Sequence, residues 1–168
     1  MKIVEKIGNI LESESNVICH QVNCQAAMGS GLAKAIRWKY PIVYEQYTSF
    51  LDNNYIRDAS GLKLNTSEFL GLCQLVKVDE NKYVANIFGQ DRYGKEPGVV
   101  YTNYHAVLIS LYNLKRLVLF GNYNIKSIAF PYGMGAGLAG GDWNVIYNLI
   151  TGVFQDTDVE IIINKLEN

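Results

Sequence analysis

The sequence predicts a layered α/β domain with helices on both faces of a mixed sheet. Short apolar runs rich in Val and Ile alternate with longer segments of helical period. Three layers, helix on sheet on helix, would bury both faces of these strands. Two neighbouring runs also have the pattern of a hairpin, so one strand pair should be antiparallel.

The elements of the first half follow in order. "KIVEKI" is predicted to be the first strand, and "NVICHQV" a buried second strand that ends at Asn23. "GLAKAIRWKYPIVYEQYTSFL" is predicted to be helical with an interruption near Pro41, because proline disfavours helical geometry in the residue before it. The polar stretch "LDNNYIRDASGLKLNTSEF" is predicted to be a loop or irregular.

In the second half, "LGLCQLVKV" and "KYVANIF" flank the turn-like tripeptide "DEN" and form the predicted hairpin. Residues 99–117 are predicted to form a helix, with His105 beside its apolar face as a partly exposed residue without chemistry. "IKSIAF" and "DVEIIIN" are the last predicted strands, and "GDWNVIYNLITGVF" is the helix between them. The apolar face of the helix 99–117 comprises Val100, Tyr104, Val107, Leu108, Leu111 and Leu114.

Length and composition set the class of protein. At 168 residues the chain is expected to be one domain over 1–168. No apolar run approaches the ~18–20 residues needed to cross a bilayer, and the first ten residues lack a signal-peptide core. We therefore expect a soluble cytoplasmic protein without membrane contact, and a monomer.

Charge and cysteine content limit the ligands. The net charge of −1 provides no broad basic face for a nucleic-acid backbone. Cys19, Cys24 and Cys73 lack CxxC spacing and form no zinc pattern with His20 or His105, so reduced thiols and no metal or cofactor are expected.

A hexapeptide is nearly repeated, as "MGSGLA" at 28–33 and "MGAGLA" at 134–139. Each copy is predicted to follow a strand and precede a helix, so glycine backbone and a helix N-terminus would together form an anion site. Two such loops facing each other would hold a diphosphate from both sides. The alternative is that the glycines serve chain reversal alone.

Two named phosphate motifs fit the loops poorly. Neither copy has the Lys and the Ser or Thr that a P-loop needs after its last glycine. Gly135, Gly137 and Gly140 match GxGxxG, but only one predicted strand follows them, too few for a second mononucleotide-binding half.

Three separated motifs, "ICHQVNCQAAMGSGLAKAIRWKYP", "VANIFGQDRYG" and "IAFPYGMGAGLAGGDW", resemble the macrodomains over nearly the whole chain. The likeness is strongest to the small stand-alone branch that includes terminal ADP-ribose glycohydrolases and ADP-ribose 1″-phosphate phosphatases. It implies a three-layer α/β/α macrodomain with a mixed, mostly parallel central sheet of about six strands. It also implies a cleft for ADP-ribose.

The resemblance implies a binding role for residues in four stretches. Gly8, Asn9 and Ile10 would lie near adenine, with Asn9 where many members have an aspartate. Asn23, Asn86 and Gln90 would line the distal ribose end. The two loops around the diphosphate and distal ribose would comprise Met28, Gly29, Ser30, Gly31 and Leu32, and Gly133, Met134, Gly135, Ala136, Gly137 and Leu138.

The same resemblance frames the chemistry. Glycohydrolase members with a lysine nucleophile carry it after the strand matching "VANIF", where this chain has no lysine before Lys95. Direct attack by water is therefore expected. His20 and Asp142 resemble the catalytic His and Asp of the phosphatase members, one activating water and the other protonating the leaving oxygen. The alternatives are a helix cap for Asp142 and a hydrogen-bonded structural histidine for His20.

Three further features have structural interpretations. Trp143 is expected to pack its helix against the sheet, and Lys34 and Arg37 to be solvated, with phosphate steering as the alternative. Cys24 lies close to the first loop, but no second histidine is placed to activate it as a nucleophile.

These observations predict an enzyme that binds ADP-ribose and hydrolyses a small derivative of it. The first candidate reaction converts ADP-ribose 1″-phosphate into ADP-ribose and phosphate. The alternatives are a non-catalytic ADP-ribose binding module and a hydrolase that removes ADP-ribose from protein or nucleic acid. All three share one cleft, so the fold cannot separate them.

Overall fold

A single six-stranded sheet organises the computed structural model, which describes residues 1–167. Its strand order is β1-β6-β5-β2-β4-β3. Only β3 and β4 pair antiparallel, and every other neighbouring pair is parallel. The predicted mixed, mostly parallel sheet is confirmed. The strands are β1 (Lys2–Ile7), β2 (Val17–Val22), β3 (Cys73–Asp79), β4 (Lys82–Phe88), β5 (Ser127–Pro131) and β6 (Glu160–Lys165).

Helices cover both faces of this sheet, as predicted. They are α1 (Gly31–Lys39), α2 (Pro41–Asn54), α3 (Tyr104–Phe120) and α4 (Trp143–Phe154). On one face, side chains of α1 and α2 such as Ile36 and Tyr47 pack with Phe88 of β4. On the other, side chains of α3 and α4 such as Leu111 and Ile150 join a second apolar core. Apolar side chains thus cover both faces of the sheet.

The predicted interruption near Pro41 divides one helical stretch into two. The amide of Tyr40 donates to the carbonyl of Ile36 and ends α1, and Pro41 is the first residue of α2. Proline is favourable there because its missing N–H would have no helical acceptor. The polar stretch after it contributes its first residues to α2, and its remainder is irregular apart from a short bridge between Arg57 and Lys63.

The predicted helix over residues 99–117 begins later than expected, at Tyr104. The side chain of Asn103 accepts from the amide of Ala106 and caps the helix. Val100, predicted on the apolar helical face, lies in the preceding loop with 54% of its surface exposed. The amides of Tyr101 and Thr102 donate to the carbonyl of Ala139, so this segment is attached to the second glycine loop instead of continuing the helix.

The parallel strands β1, β2, β4, β5 and β6 all end at the same edge of the sheet. Ligands of open α/β sheets bind beyond the carboxyl ends of such strands. Within residues 1–167, the helices are too short or too polar to span a bilayer.

Candidate functional site

A cleft of about 960 Å³ opens at the carboxyl edge of the sheet. Segments that follow five strands line it, together with the first turn of α1. Most of the residues predicted to bind ligand lie there: Asn9, Ile10, His20, Asn23, Met28, Gly29, Ser30, Gly31, Leu32, Gln90, Gly133, Met134, Gly135, Gly137 and Leu138. Asn86, Ala136 and Asp142 do not line the cleft.

The first glycine loop ends in an uncapped helix N-terminus. Ser30 occupies the N-cap position of α1 without a side-chain hydrogen bond, and the first turn carries no acidic residue. Gly31 has a φ of 58°, in the left-handed region that glycine adopts readily. Together with Leu32 and Ala33 it lines the cleft, so the free N–H groups and the positive end of the helix dipole lie at the wall.

The second glycine loop follows β5 and precedes α4, as predicted, but it forms turns before the helix begins at Trp143, whereas the first copy enters α1 at Gly31. Gly133 and Gly135 have φ values of 79° and 75°. The amides of Met134 and Ala136 donate back to Pro131 and Gly133, whereas those of Gly135 and Gly137 find no acceptor within residues 1–167. Both residues line the cleft, so their amides are candidate donors for the predicted anion site.

The repeated methionines anchor the two loops on opposite faces of the sheet. Met28 is 1% exposed and packs in the core beneath α1 and α2. Met134 is 4% exposed and packs in the core beneath α3 and α4. Each hexapeptide thus combines a buried apolar anchor with glycines at the cleft, which explains why both copies begin with methionine.

A buried polar network supports the second loop from below. The side-chain amide of Gln21 donates to the side-chain oxygens of Gln90 and Thr102, each at 2.9 Å. The Thr102 hydroxyl donates to the carbonyl of Gly135 at 2.7 Å. The other end of Gln21, Oε1, is buried without a partner. Sequence reasoning missed Gln21 and Thr102, although a glutamine inside an apolar strand was an available signal.

His20 lies in the cleft wall with 2% of its surface exposed. Its Nε2 is 2.5 Å from the side-chain oxygen of Asn86. The side-chain amide of Asn86 donates to the side-chain oxygen of Gln74. Gln74 in turn donates to the carbonyl of Gln46 on α2. Because Asn86 presents its oxygen, Nε2 of His20 carries the proton and Nδ1 is a bare acceptor, buried without a partner.

Burial determines the protonation of His20. It lowers the pKa of the imidazole to about 4, against a smaller raising effect of the hydrogen bond to Asn86. The ring is therefore neutral near pH 7. Its unprotonated Nδ1 has the chemistry of a proton acceptor.

The structure does not bring Asp142 together with His20. Asp142 is exposed and caps α4, with its side chain accepting from the amide of Asn144 at 2.8 Å. Its own amide donates to the hydroxyl of Tyr104. These contacts match the helix-cap alternative, and the carboxylate lies outside the cleft lining.

The side chains of Asn9 and Asn23 are occupied by local hydrogen bonds. The Asn9 oxygen accepts from the amide of Leu11 and caps the short 3₁₀ turn Ile10–Glu12. Asn23 accepts from the amide of Gln25 and the hydroxyl of Tyr47, and donates to the carbonyl of Ala27. Asn23 thus shapes the entrance to the first glycine loop.

Several cleft residues were missed from the sequence. Residues 91–98 form a loop that brings Tyr93 and Lys95 to the cleft, so a lysine is present there although none follows β4 directly. Tyr132 and Asn164 lie at the ends of β5 and β6, and the side-chain oxygen of Asn164 is buried without a partner. The loop "GQDRYGKEPG" was a candidate to close the distal end of the cleft or leave it open, but no sequence pattern gave Tyr132 or Asn164 a role, because each depends on strand register.

The cysteines are unsuited to nucleophilic chemistry. Burial raises the pKa of the Cys24 and Cys73 thiols to about 12, with Asp91 adding to the effect at Cys24, and burial also raises that of Cys19. Thiols with raised pKa values contain little thiolate at pH 7. Within residues 1–167, no three His, Cys, Asp or Glu side chains are grouped to hold a metal ion.

The remaining predicted side chains have packing roles. Trp143 contacts the rings of Tyr132 and Tyr147 at centroid distances of 5.2 and 5.9 Å and does not line the cleft. Arg37 lies over the ring of Tyr44 at 3.6 Å. His105 is exposed at the start of α3.

Comparison with known proteins places this architecture among the macrodomains. A protein of unknown function from Bacteroides thetaiotaomicron matches with a TM-score of 0.79 and 24% identity, over 98% of both chains. The macrodomain of Mycobacterium tuberculosis DarG matches with a TM-score of 0.74 and 22% identity, over 96% of both chains. Thermosipho africanus DarTG in complex with ADP-ribose matches with a TM-score of 0.71 and 17% identity, over 96% of this chain and 41% of that one. The chain has the macrodomain fold.

Curated relatives point to the same fold. The DNA ADP-ribosyl glycohydrolases of Mycobacterium tuberculosis and Mycobacterium bovis are 24% identical over 157 residues, 93% of this chain. The chain spans 40% of the length of these relatives. No protein-family model matches the sequence.

Proposed function

We propose that the chain binds ADP-ribose in the cleft and hydrolyses a bond at its distal ribose. One observation carries the proposal: two glycine loops, anchored on opposite faces of the sheet, line the same cleft, and both include backbone amides that have no acceptor within residues 1–167. Amide donors and a helix N-terminus suit a diphosphate, since they bind anions without a broad basic surface. The net charge of −1 fits this local mode of binding.

The rest of the cleft suits the two ends of the same ligand. Ile10 is 4% exposed and provides an apolar floor beside Gly8 for a flat base such as adenine. Asn164 provides a side-chain amide near that end. The proposal puts the distal ribose beside His20, Asn23 and Gln90, which also line the cleft.

His20 is the proposed general base. Its Nδ1 is unprotonated and has no hydrogen-bond partner within residues 1–167. Because His20 lines the cleft, a small movement of the ring would let Nδ1 accept the proton of an attacking water molecule. With ADP-ribose 1″-phosphate, the water oxygen bonds to phosphorus, the bond from phosphorus to the ribose oxygen breaks, and that oxygen takes up a proton. Asp142, the predicted acid, caps α4 through the amide of Asn144 and is not among the residues that line the cleft, so its catalytic role stays a prediction.

A second candidate reaction is the release of ADP-ribose from a macromolecule. This candidate is supported by the similarity to the mycobacterial relatives, which are DNA ADP-ribosyl glycohydrolases. Here the oxygen of water bonds to the anomeric carbon of the distal ribose, the bond from that carbon to the macromolecule breaks, and the released atom of the macromolecule takes up a proton. Both reactions use the same bound ADP-ribose and the same base.

Phosphorus NMR separates the candidates. Purified protein is mixed without added metal with ADP-ribose 1″-phosphate, and in parallel with ADP-ribosylated DNA. Loss of the monoester signal to free phosphate supports the phosphatase, and appearance of free ADP-ribose from DNA supports the second reaction. Broadened diphosphate signals without turnover of either substrate would leave a binding module. Unchanged diphosphate signals at millimolar protein would contradict the whole proposal.

A further inference from the structure

A short entry segment, residues 23–25, leads from β2 toward the first glycine loop. All three of its carbonyls accept hydrogen bonds from side chains of α2 and of the stretch that follows α2. The donors to residues 23, 24 and 25 are, in that order, the hydroxyl of Tyr47, the hydroxyl of Tyr55 and the ammonium group of Lys63. None of these three donors lines the cleft. The entry segment is thus attached to residues outside the ligand site.

Tyr47 connects the entry segment to the apolar core. Its side chain is 0% exposed, and its ring lies 5.9 Å from that of Phe88. The hydroxyl lies 2.7 Å from the backbone carbonyl oxygen of Asn23 and 2.9 Å from its side-chain oxygen. Both oxygens are acceptors, so Tyr47 donates to them. Because the ring is packed in the core, the core fixes the position of Asn23.

Tyr55 holds the next carbonyl in the same way. Its ring packs edge-on against Phe69 at a centroid distance of 5.6 Å, and its hydroxyl donates to the carbonyl of Cys24. Burial raises the pKa of the hydroxyls of both Tyr47 and Tyr55, so both are protonated near pH 7 and act as donors. Two consecutive peptide groups therefore have their orientation set by tyrosines.

These contacts support a strained turn. In a planar trans peptide the carbonyl and the following N–H point in opposite directions. The carbonyl of Cys24 faces Tyr55, and the amide of Gln25 donates on the other side to the side-chain oxygen of Asn23 at 2.9 Å. The next residue, Ala26, has a φ of 60°, in the left-handed region that is unfavourable for a residue other than glycine. Such a conformation persists only where its surroundings determine it.

We propose that Tyr47 and Tyr55 are positioning residues for the binding of a diphosphate at the first glycine loop. They hold the carbonyls of Asn23 and Cys24, and the turn at Ala26 then directs the chain into the loop at the cleft wall. Neither tyrosine would touch the ligand. This inference rests on the proposed function, since it takes ADP-ribose as the ligand of the cleft.

Two variants test the hydroxyl groups. Tyr47→Phe and Tyr55→Phe each remove one oxygen and keep the packed ring. In each variant we expect the Kd for ADP-ribose to rise about fivefold or more, because the loop amides are no longer held toward the diphosphate. Calorimetric titration measures the Kd, and urea unfolding measures stability. Lower stability with a parental Kd in both variants would overturn the positioning role.

Ser110→Ala is the matched control. Ser110 is 0% exposed, and its hydroxyl donates to the carbonyl of Leu72 at 2.6 Å, outside the cleft. The control thus also loses a hydroxyl that donates to a backbone carbonyl. It should be destabilised to a similar degree and bind ADP-ribose with the parental Kd. An equal rise of the Kd in Ser110→Ala would attribute the effect to lost stability and contradict the inference.

The choice of ligand tests which part of the cleft is affected. ADP carries the diphosphate, and adenosine lacks it. In both tyrosine variants the Kd for ADP should rise together with that for ADP-ribose, whereas the Kd for adenosine should stay at the parental value. An equal loss of affinity for adenosine would indicate a general distortion of the cleft and would overturn the assignment to the first glycine loop.

Amide NMR of the ligand-free protein separates this inference from the proposed function. The amides of residues 26–31 should shift in Tyr47→Phe and Tyr55→Phe and stay unshifted in Ser110→Ala. If the parent protein does not bind ADP-ribose, the proposed function is contradicted, and these shifts still show whether the tyrosines position the loop. Normal ADP-ribose binding by the parent with unshifted loop amides in both tyrosine variants would contradict this inference alone.

Discussion

Nε2 of His20 lies 2.5 Å from the side-chain oxygen of Asn86, in the interior of the sheet. The two residues are direct partners in the parallel pairing of β2 and β4. Asn86 is 0% exposed and donates its amide to Gln74. The hydrogen bond therefore fixes the tautomer of a neutral imidazole at the cleft wall. This protonation state affects the pH dependence of stability and the ability of His20 to accept a proton.

The buried neutral His20 should make stability depend on pH. Its folded pKa of about 4 lies below the ordinary value of 6.5, so between these values the unfolded chain binds more protons than the folded one. Stability is then full above about pH 6.5 and falls as the pH decreases toward 4. The loss from this residue should reach about 3 kcal/mol by pH 4. Urea unfolding at pH 7.0, 5.5 and 4.5 measures it.

A variant isolates the contribution of His20. Acidic side chains also change protonation below pH 5 and affect the stability of both proteins. His20→Gln removes only the histidine, so the difference between the two pH profiles reports on His20. We expect the variant to lose less stability between pH 7.0 and 5.5 than the parent. Parallel curves for the two proteins would show that His20 does not titrate in this range on unfolding.

Replacing the acceptor of Nε2 should shift the titration of His20. In Asn86→Asp, a carboxylate faces the ring and stabilises the imidazolium, so the pKa of His20 should rise by about one unit or more. The imidazole proton signals measured by NMR against pH report it directly. A His20 signal that titrates as in the parent would contradict the assigned hydrogen bond.

Asp142 should matter for stability and not for turnover. Asp142→Ala removes the side-chain acceptor for the amide of Asn144 at the start of α4, at a cost of about 1 kcal/mol. Asp142→Ser keeps a capping oxygen and should retain most of that stability. Turnover of ADP-ribose 1″-phosphate and of ADP-ribosylated DNA should stay at the parental level in both variants. A turnover loss in Asp142→Ser with normal stability would restore the catalytic interpretation.

The order of strands and helices could be predicted because each element carries its own apolar pattern. β2 reads "VICHQV" and alternates Cys19 toward one core with His20 toward the other face, as strand geometry requires. The start of α3 could not be predicted, because contacts of Tyr101 and Thr102 with the second glycine loop compete with helix formation there. Those contacts join distant parts of the chain.

In the site as well, features set by local sequence could be predicted, and features set by contacts between distant parts of the chain could not. The glycine loops could be predicted, since tight turns and close approach require glycine wherever they occur. Lys95 and Asn164 could not, because loop paths and strand ends that are distant in sequence bring them together. Asp142 was ambiguous because a carboxylate just before a helix is suited equally to capping and to catalysis.

Filling the cleft at the second glycine loop should weaken ligand binding without unfolding the protein. Gly137 lies in the cleft wall outside the left-handed region, and no atom lies within 4 Å of where its Cβ would be. Gly137→Ala should therefore keep stability and weaken ADP-ribose binding about tenfold by occupying ligand space.

The matched control for this methyl group is Gly152→Ala. Gly152 lies in α4, is exposed and also has open space around its Cβ position. The control should gain about 0.5–1 kcal/mol of stability, because alanine favours a helix, and bind ADP-ribose as the parent does. Calorimetric titration measures both affinities. Equal affinities in all three proteins would remove the second loop from the ligand site.

Thr102 should determine the position of the second glycine loop. Its hydroxyl accepts from Gln21 and donates to the carbonyl of Gly135, and the side chain is buried. Thr102→Val keeps the shape and removes both hydrogen bonds, so it should cost about 1–3 kcal/mol of stability. Because the loop loses its support, the affinity for ADP-ribose should fall as well.

Thr102→Ser separates the hydroxyl from the methyl group. The serine variant retains both hydrogen bonds and loses one buried methyl group, at a cost of about 1 kcal/mol. It should be less stable than the parent but bind ADP-ribose with parental affinity, whereas the valine variant should lose both properties. Urea unfolding and calorimetric titration of the two variants give the comparison. A displaced Gly135 would alter the contacts with the diphosphate and thus the Kd for ADP-ribose. If Thr102→Val lowers stability and leaves this Kd unchanged, the hydrogen bonds of Thr102 stabilise the fold without positioning the loop.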